Sequence, residues 1–423
     1  MTKTWPGNNT SRVPYWAYND PTIYQQELEK IWYGPHWIYV GLACEIPQPG
    51  DFKLSWVGER QVIVVRDSDG INVVENRCSH RGVRFQQEFH GSTKKFVCPY
   101  HQWRYDLKGE LISLPFEKGA VKNNQVCGGM PENFDKKNHG LTKLRVAVLH
   151  GVIFASFDQD INSIEDYIGP DILPWFERTF KGRELRLLGY NRQQIKSNWK
   201  LMMENIKDPY HAGLLHTWFV TFGLFRADQS VSRMVIDSTG RHAVMLNRRN
   251  NGVDNDVTKG VTSFKPNMKI NDPRLLDIVE EAWWTVADTK NVGKNISPTN
   301  CMQTIFPSVI IQQQINSMST RQIVPRGHGV FEFTWTHFGF ADDTEEMTTR
   351  RLRQANLFGP AGFVSADDGE VLELSQQGFE QYGESGELLA ELGGLDNGEI
   401  TEHMITETLI RGMYRYYRKI MTC

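Results

Sequence analysis

Apolar residues recur at helical spacing over residues 22–33 (TIYQQELEKIWY), which predicts a short helix. From about Trp37 the pattern changes to short runs rich in Val, Ile, Phe and Tyr, such as RQVIVVRD and RVAVLHGVIFASF. These runs are separated by turn sequences such as PQPGD and DSDG. The alternation predicts a small all-β domain over residues 38–158.

The remainder of the chain contains both helix-like and strand-like patterns of apolar residues. Helical spacing is found in SIEDYIGPDILPWFERTF and NWKLMMENIKDPYHAGLLHTWF, and two further helices, MTTRRLRQANLFG and TEHMITETLIRGMYRYYRKIM, are predicted to close the chain. Strands are predicted in RHAVMLN, PSVIIQQQI, STRQIV and VFEFTWTHFGF. Residues 1–37 and 159–423 therefore predict a larger α+β domain, with an antiparallel sheet surrounded by helices. Residues 247–300, rich in Asn, Asp, Lys and Gly, predict long surface loops.

Composition excludes several classes of protein. The 423 residues are 40% hydrophobic and 23% charged, with a formal net charge of −3, so nothing favours binding to nucleic acid or to an anionic membrane. No apolar run has the length of a membrane span or a signal peptide, and we expect a cytoplasmic protein. Six cysteines are too few for a disulfide scaffold of this size.

Two cysteines and two histidines form a distinctive frame, Cys78-x-His80 and Cys98-x-x-His101, separated by seventeen residues. A structural zinc site is the simple alternative, but zinc sites favour Cys-Cys and His-His pairs. Here each pair is mixed and lies on its own predicted turn. That arrangement suits a Rieske [2Fe–2S] cluster, in which two thiolates bind one iron and two imidazoles bind the other.

The flanking residues Gly82, Pro99 and Trp103 complete a pattern, C-x-H-R-G…C-x-Y-H-x-W, that resembles the large (alpha) subunits of Rieske-type non-haem iron ring-hydroxylating oxygenases. The extra cysteines of the cytochrome class of Rieske proteins are absent from this pattern. The resemblance implies an oxygenase with two metal centres, and it extends over nearly the whole chain.

The second motif is ENIKDPYHAGLLH, with Asn205, Asp208, His211 and His216. It matches the D-x₂-H-x₄-H pattern of the same family, and the resemblance implies that both histidines bind a mononuclear Fe(II). The third ligand is a distant aspartate in FGPAGFVSADDGEV; the resemblance assigns Asp368, with Asp367 as the alternative. Such a 2-His-1-carboxylate site leaves positions open for dioxygen. Asn205 and Asp208 are candidate catalytic residues beside it.

The spacing of the two histidines has a structural consequence. Residues i and i+5 lie about 140° apart on an ideal helix, too far to share one metal ion. Pro209 also removes a backbone donor from the same run. We therefore expect a kinked or π-bulged helix over residues 205–217.

The source of electrons must be a separate protein, because no G-x-G-x-x-G follows a predicted strand. The resemblance implies a ferredoxin or an NAD(P)H reductase, and an α₃β₃ assembly with a small beta subunit. In a head-to-tail ring, the cluster of one subunit could lie against the iron of the next. Asp208 would then accept the free N–H groups of His211 and of His101 from the neighbouring subunit.

The pattern is most similar to the salicylate 5-hydroxylase, anthranilate or aniline dioxygenase and terephthalate dioxygenase group. It implies hydroxylation of an amino- or hydroxy-substituted single ring in aromatic catabolism. Arg321 and Arg411 are possible partners for a substrate carboxylate; if neither faces the iron, a neutral amine such as aniline is favoured. Residues 286–300 resemble an insertion relative to the salicylate enzymes. The alternatives are a dicarboxylate substrate of the terephthalate type and, in another class, a Rieske electron-transfer protein without oxygenase activity.

Overall fold

The computed structural model describes residues 3, 5–6, 10–216, 230–249, 278–287, 295–383, 385–394 and 400–422. The chain forms two compact units, one of residues 32–161 and one that combines residues 1–31 with 162–423. Within the part of the chain that the structure describes, no helix has the length and apolar character needed to span a membrane.

The smaller unit consists of antiparallel strands. Its four-stranded sheet has the order Gly70–Glu75, Arg60–Asp67, Asp51–Val57, His90–Ser92. Two three-stranded sheets have the orders Arg145–Leu149, Val152–Ser156, Ile38–Leu42 and Phe96–Val97, Arg104–Tyr105, Leu111–Ser113. A hairpin pairs Ala120–Lys122 with Gln125–Cys127.

Apolar side chains from these sheets form the core of the smaller unit. Ile63, Val65, Phe96 and Tyr105 are fully buried and belong to one cluster. Cys78 and Cys98 belong to the same cluster, so the loops that carry them are anchored on the core rather than projecting from it.

The larger unit is built around an eight-stranded antiparallel sheet. Its order is Leu185–Ile195, Phe331–Phe340, Ser317–Pro325, Val309–Gln314, Asn300–Ile305, Ala243–Arg249, Ser230–Ile236, Ile400–Thr401. Two small pairs join Arg12–Pro14 to Glu387–Leu389 and Val286–Ala287 to Asn295–Ile296. The predicted α+β class and antiparallel sheet are confirmed.

The described α-helices are Trp16–Asn19, Pro21–Glu27, Ile164–Ile168, Leu173–Phe180, Trp199–Lys207, Glu345–Phe358, Phe363–Tyr382 and Thr408–Thr422. A π-helical turn, Leu28–Trp32, continues the helix predicted over residues 22–33. Short 3₁₀ turns are Ala43–Glu45, Lys136–His139, His211–Gly213 and Ala282–Trp284.

Both predicted closing helices are present, but a third helix, Phe363–Tyr382, lies between them and was not predicted. Its sequence contains two glycines and an Asp-Asp pair, which are poor helix formers and masked the helical spacing. The last helix begins at Thr408, later than the predicted segment. The loops expected over 247–300 fall largely outside the described residues.

The helix that precedes the two histidines is Trp199–Lys207. The Asn198 side chain caps its first turn by accepting a hydrogen bond from the Lys200 amide. The helix stops before Pro209, because Asp208 adopts the extended conformation (φ −101°, ψ 96°) that a following proline favours. A single 3₁₀ turn follows at His211–Gly213. The helix is therefore distorted, as expected, but it is interrupted completely, so the prediction of a kinked or π-bulged helix is wrong for residues 205–216. Residue 217 lies outside the described residues.

Candidate metal centres and substrate pocket

The Cys78 and Cys98 loops have the same backbone geometry. In each loop the cysteine carbonyl accepts a hydrogen bond from the amide four residues later, Gly82 at 2.8 Å and Gln102 at 2.9 Å. Both amides belong to residues with left-handed φ angles, +71° and +57°. Glycine adopts this conformation without strain, whereas Gln102 must be held there by its turn. The two loops are therefore matched turns that each present one Cys and one His.

The four side chains of this frame converge. Cys78 and Cys98 are buried free thiols. The rings of His80 and His101 lie 4.8 Å apart, and His80 stacks on Trp103 at 4.6 Å. The Nδ1 atom of His101 is buried without a hydrogen-bond partner. A buried nitrogen of this kind is costly unless it has a ligand to bind.

The geometry argues against a single zinc ion at this site. Among the described residues, only His211, His216 and Asp368 bring three or more ligand atoms within 4.8 Å of one another. Cys78, His80, Cys98 and His101 do not form such a group, and their mixed Cys-His pairs differ from the Cys-Cys and His-His pairs that zinc sites favour. A cluster with two irons and two sulfides fills a wider space between two thiolates and two imidazoles, so these residues fit [2Fe–2S].

A tyrosine contacts the sulfur of one candidate cluster ligand. The Tyr105 hydroxyl lies 3.2 Å from Cys78 Sγ and 3.0 Å from the Ser79 hydroxyl. Burial, followed by the neighbouring thiol, raises the pKa of Tyr105, so its phenol keeps its proton. It can therefore donate a hydrogen bond to a metal-bound Cys78 thiolate.

The candidate iron site joins the broken helix to the Phe363–Tyr382 helix. The Nε2 atoms of His211 and His216 lie 3.5 Å and 3.4 Å from the same oxygen, Asp368 Oδ1. Asn205 Nδ2 donates to that oxygen at 3.1 Å. The helix is interrupted before Pro209, and this interruption allows the convergence because the two histidines do not have to lie on one helical face.

Each imidazole also has a carboxylate at its other nitrogen. Asp208 Oδ2 lies 3.5 Å from His211 Nδ1, and Asp367 Oδ2 lies 3.2 Å from His216 Nδ1. Asp208 meets His211 through a turn rather than through helical i,i+3 spacing, and its Oδ1 accepts the Tyr210 amide at 2.8 Å. Asp368, and not Asp367, thus lies between the two Nε2 atoms.

The charges of the site favour a cation. Burial acts to raise the pKa of Asp368, but His211 and His216 outweigh it and hold that pKa well below its usual range. Burial acts to lower the pKa of His211, but Asp208 and Asp368 outweigh it and raise that pKa to about 10. A metal ion that binds here displaces a proton from the histidine and meets an ionised carboxylate.

A cavity of about 740 Å³, including its open mouth, adjoins this site. Its described lining combines the three candidate iron ligands with apolar and amide side chains, namely Ile206, Ala212, Met245, Met302, Trp335, Phe358, Val364, Met404, Asn205, Asn247, Asn300 and Gln314, together with Ser365 and Arg321.

Arg321 is the cation of this lining. It is buried, its guanidinium lies over the Trp335 ring at 4.1 Å, and its Nη2 contacts Met302 Sδ at 3.7 Å. Its Nε is buried without a hydrogen-bond partner. Burial, opposed by Asp368, lowers the pKa of Arg321 to about 9, so it remains charged at neutral pH. A buried cation with an unused donor favours binding of an anion.

Arg411 does not contribute to the described pocket lining. Its Nη1 donates to the carbonyls of Ala390 and Leu392 at 2.9 Å and 3.0 Å. The arginine therefore ties the last helix to a neighbouring loop. Of the two arginines named from the sequence, Arg321 is therefore the one that lines the described pocket beside the candidate iron site.

Comparison with known proteins bears on both units. Residues 181–423 match the model of the ring hydroxylating alpha subunit (catalytic domain), and residues 36–125 match the Rieske [2Fe-2S] domain. The chain is 59% identical over 419 residues to the salicylate 5-hydroxylase large oxygenase component of a Ralstonia species, covering 99% of this chain and 96% of the relative. The chain belongs to the ring-hydroxylating alpha subunit family.

Other members of the family are similar over the same length. The terephthalate 1,2-dioxygenase terminal oxygenase subunit alpha 2 of a Comamonas species is 40% identical, covering 99% of this chain and 97% of the relative. The anthranilate 1,2-dioxygenase large subunit of Burkholderia cepacia is 38% identical, covering 99% of this chain and 95% of the relative. The solved naphthalene 1,2-dioxygenase of a Rhodococcus species has the same fold, with a TM-score of 0.79 at 23% identity, covering 97% of this chain and 94% of that one.

The predicted enzyme class and cofactors are confirmed by this membership. The alpha subunit is the large oxygenase component of a ring-hydroxylating system that acts on substituted aromatics, and it combines a Rieske [2Fe–2S] domain with a non-haem iron catalytic domain. The alternative of an electron carrier without oxygenase activity is excluded by the match of the catalytic domain.

Sequence reasoning missed several residues of the alpha subunit's sites. The contact of Tyr105 with Cys78 was not predicted, although Tyr105 lies only two residues beyond Trp103 of the motif. The pocket amides Asn247, Asn300 and Gln314 were not predicted either. The polar run of PSVIIQQQI signalled Gln314, because glutamines in the middle of a buried sheet need a polar neighbour or a ligand.

Proposed function

We propose that this alpha subunit hydroxylates a single aromatic ring that carries a carboxylate next to a hydroxyl or amino group, with salicylate (2-hydroxybenzoate) as the favoured substrate. The observation that carries the proposal is Arg321, a buried cation with an unused donor in the pocket of the candidate iron site. The 59% identity to a salicylate 5-hydroxylase component supports the same substrate.

We assign the metal ligands residue by residue. Cys78, His80, Cys98 and His101 hold [2Fe–2S] in the domain of residues 38–158. His211, His216 and Asp368 hold Fe(II) in the catalytic domain of residues 1–37 and 159–423. The convergence of both Nε2 atoms on Asp368 supports Asp368 over Asp367 as the carboxylate ligand.

The bound iron supplies activation of dioxygen. For hydroxylation, one ring C–H, O₂, two electrons and two protons give a C–OH group and water, with NAD(P)H as the ultimate reductant. The residues of the chain bind and orient the ring. Arg321 binds the carboxylate, while Trp335, Phe358 and the methionines enclose the apolar part. Asn205 donates to Asp368 and fixes the orientation of that carboxylate.

Other substrates fit the described pocket less well. Aniline has no anionic group for Arg321, so binding it would leave a buried cation unpaired. Terephthalate carries two carboxylates, whereas the described lining has one arginine and no lysine. Anthranilate, with one carboxylate and an amino group in place of the hydroxyl, is the closest competitor.

Electrons reach the iron, in this proposal, from the cluster of a neighbouring alpha subunit. His101 uses Nδ1 toward the cluster, which leaves Nε2 available. Asp208 has Oδ2 beside His211 Nδ1, and a carboxylate can accept further hydrogen bonds. Asp208 can therefore bridge His211 to the neighbour's His101 in a head-to-tail α₃ ring, completed by a small beta subunit as α₃β₃. A ferredoxin or NAD(P)H reductase delivers the electrons, and the cytoplasmic location stays a prediction.

The test is a substrate panel with the purified oxygenase, a reductase, a ferredoxin and NADH. We expect O₂ uptake and a hydroxylated product with salicylate, slower turnover with anthranilate, and little with aniline or benzene. Mass analysis of the product shows whether one or two oxygen atoms enter the ring. Fast turnover of aniline with no turnover of either carboxylate would overturn the substrate assignment.

A further inference from the structure

Two consecutive carboxylates of one helix flank a single imidazole. Asp367 Oδ2 lies 3.2 Å from His216 Nδ1, and Asp368 Oδ1 lies 3.4 Å from His216 Nε2. Consecutive residues of an α-helix point about 100° apart, so the two side chains reach different edges of the ring. The Phe363–Tyr382 helix thus holds both nitrogens of His216.

This arrangement selects one form of the imidazole. A neutral imidazole has one N–H, and an ionised carboxylate can only accept. When Nδ1–H donates to Asp367, the lone pair lies on Nε2, the nitrogen that faces Asp368 and His211. That is the form needed for a metal ligand, and a carboxylate on the far nitrogen also makes the ligand more basic.

The other histidine is held differently. His211 Nδ1 is buried without a hydrogen-bond partner, because Asp208 stands 3.5 Å away, beyond normal hydrogen-bond length. Asp208 also uses its other oxygen on the Tyr210 amide. The described part of the chain therefore fixes His216 firmly and leaves His211 with a looser partner.

We infer that Asp367 is a positioning residue that holds His216 in its metal-binding form and so sets the affinity of the mononuclear site. Asp367 acts through His216 and does not bind the metal itself. The inference rests on the proposed iron site. The two carboxylates would then have different roles: Asp367 strengthens metal binding, and Asp208 takes part in electron transfer.

The experiment uses the full oxygenase with its cluster in place. The mononuclear iron is removed with a chelator, and Co(II) affinity is measured by competition for wild type, Asp367→Asn and Asp367→Ala. Glu370→Gln, an exposed residue of the same helix, is the control. We expect Co(II) binding about 10- to 100-fold weaker in Asp367→Ala. Asp367→Asn should lose less, because its amide oxygen still accepts the Nδ1–H.

Two further readouts separate positioning from a general loss of structure. The visible spectrum of bound Co(II) should change in Asp367→Ala, and the Rieske absorbance should stay at the wild-type level in every variant. In Asp367→Asn reloaded with Fe(II), the reduced cluster should be oxidised at the wild-type rate in the presence of substrate and O₂.

Two results would overturn the inference. Asp367→Ala that binds Co(II) within twofold of wild type, with an unchanged spectrum, would show that His216 needs no such partner. Asp367→Ala that binds no Co(II), while Asp368→Ala retains it, would make Asp367 the ligand. If His216→Ala and Asp368→Ala both bind Co(II) like wild type, the proposed iron site itself fails, and that outcome is distinct from the other two.

Discussion

The two metal-binding regions of this oxygenase present their ligands in opposite ways. The proposed cluster ligands come from two matched turns whose cysteines belong to the core of the smaller unit. The candidate iron ligands come from a broken helix and from a helix some 150 residues later, and they adjoin a cavity of about 740 Å³. The first region is built to hold a redox group in a fixed position. The second is built around space for a substrate.

The comparison predicts that the two centres can be lost separately. His211→Ala or His216→Ala should remove the mononuclear iron and abolish hydroxylation, because two remaining ligands hold Fe(II) poorly. The Rieske absorption should survive, since the cluster ligands belong to the other compact unit. Iron analysis, the visible spectrum and product assay check this. Loss of both signals in a folded variant would contradict the separation.

In the proposed electron path, Asp208 is the residue that links the two regions. Asp208→Asn should keep both centres but slow product formation roughly 100-fold, because the amide lacks the charge that holds two N–H groups. Single-turnover oxidation of the reduced cluster with substrate and O₂ measures this step. Asp208 is not the bridge if the variant's cluster is oxidised at the normal rate.

The role of the pocket beside the candidate iron site can be tested through Arg321. Arg321→Gln should weaken salicylate binding by about 2 kcal/mol, or roughly thirtyfold in kcat/KM, because a charge-assisted hydrogen bond is lost. Arg321→Lys should recover part of the loss, and Arg186→Gln, on an exposed position of the sheet, is the control. Steady-state kinetics with salicylate and aniline measure kcat/KM for each variant. An equal loss of kcat/KM for both substrates would count against a contact between Arg321 and the carboxylate.

The smallest expected effect is a shift in the reduction potential of the Rieske cluster. Tyr105→Phe removes the hydroxyl that lies 3.2 Å from Cys78 Sγ. Loss of a hydrogen bond worth about 1 kcal/mol in the reduced state should lower the one-electron potential by about 40 mV. Redox titration of the Rieske signal measures the shift, with Tyr190→Phe in the other unit as control. An unchanged potential would show that the hydroxyl does not act on the sulfur.

The difference between the regions also explains how far the sequence could predict them. The cluster frame lies within 24 residues, and its turns impose the geometry locally, so Cys78 to His101 could be interpreted from spacing and flanking residues. The choice between Asp367 and Asp368 could not be made from residue type, because it depends on which edge of the Phe363–Tyr382 helix faces the histidines. That helix was itself missed.

The break before Pro209 was only partly predictable. Spacing required a distortion, and proline indicated its position, but the extended conformation of Asp208 followed from the folded backbone. The surroundings of Arg321 were equally beyond the sequence. Whether a buried arginine faces a pocket or backbone carbonyls depends on packing, as the contrast between Arg321 and Arg411 shows.

The most direct test of the account is a single turnover of the oxygenase with its cluster reduced beforehand and its reductase removed. With salicylate and O₂ the account predicts that the cluster is oxidised and that a hydroxylated salicylate forms in proportion to the electrons lost. His211→Ala, which lacks the iron, should show neither. Oxidation of the cluster without any product, despite full occupancy of the iron site, would contradict the claim that the cluster supplies the electrons for hydroxylation in this pocket.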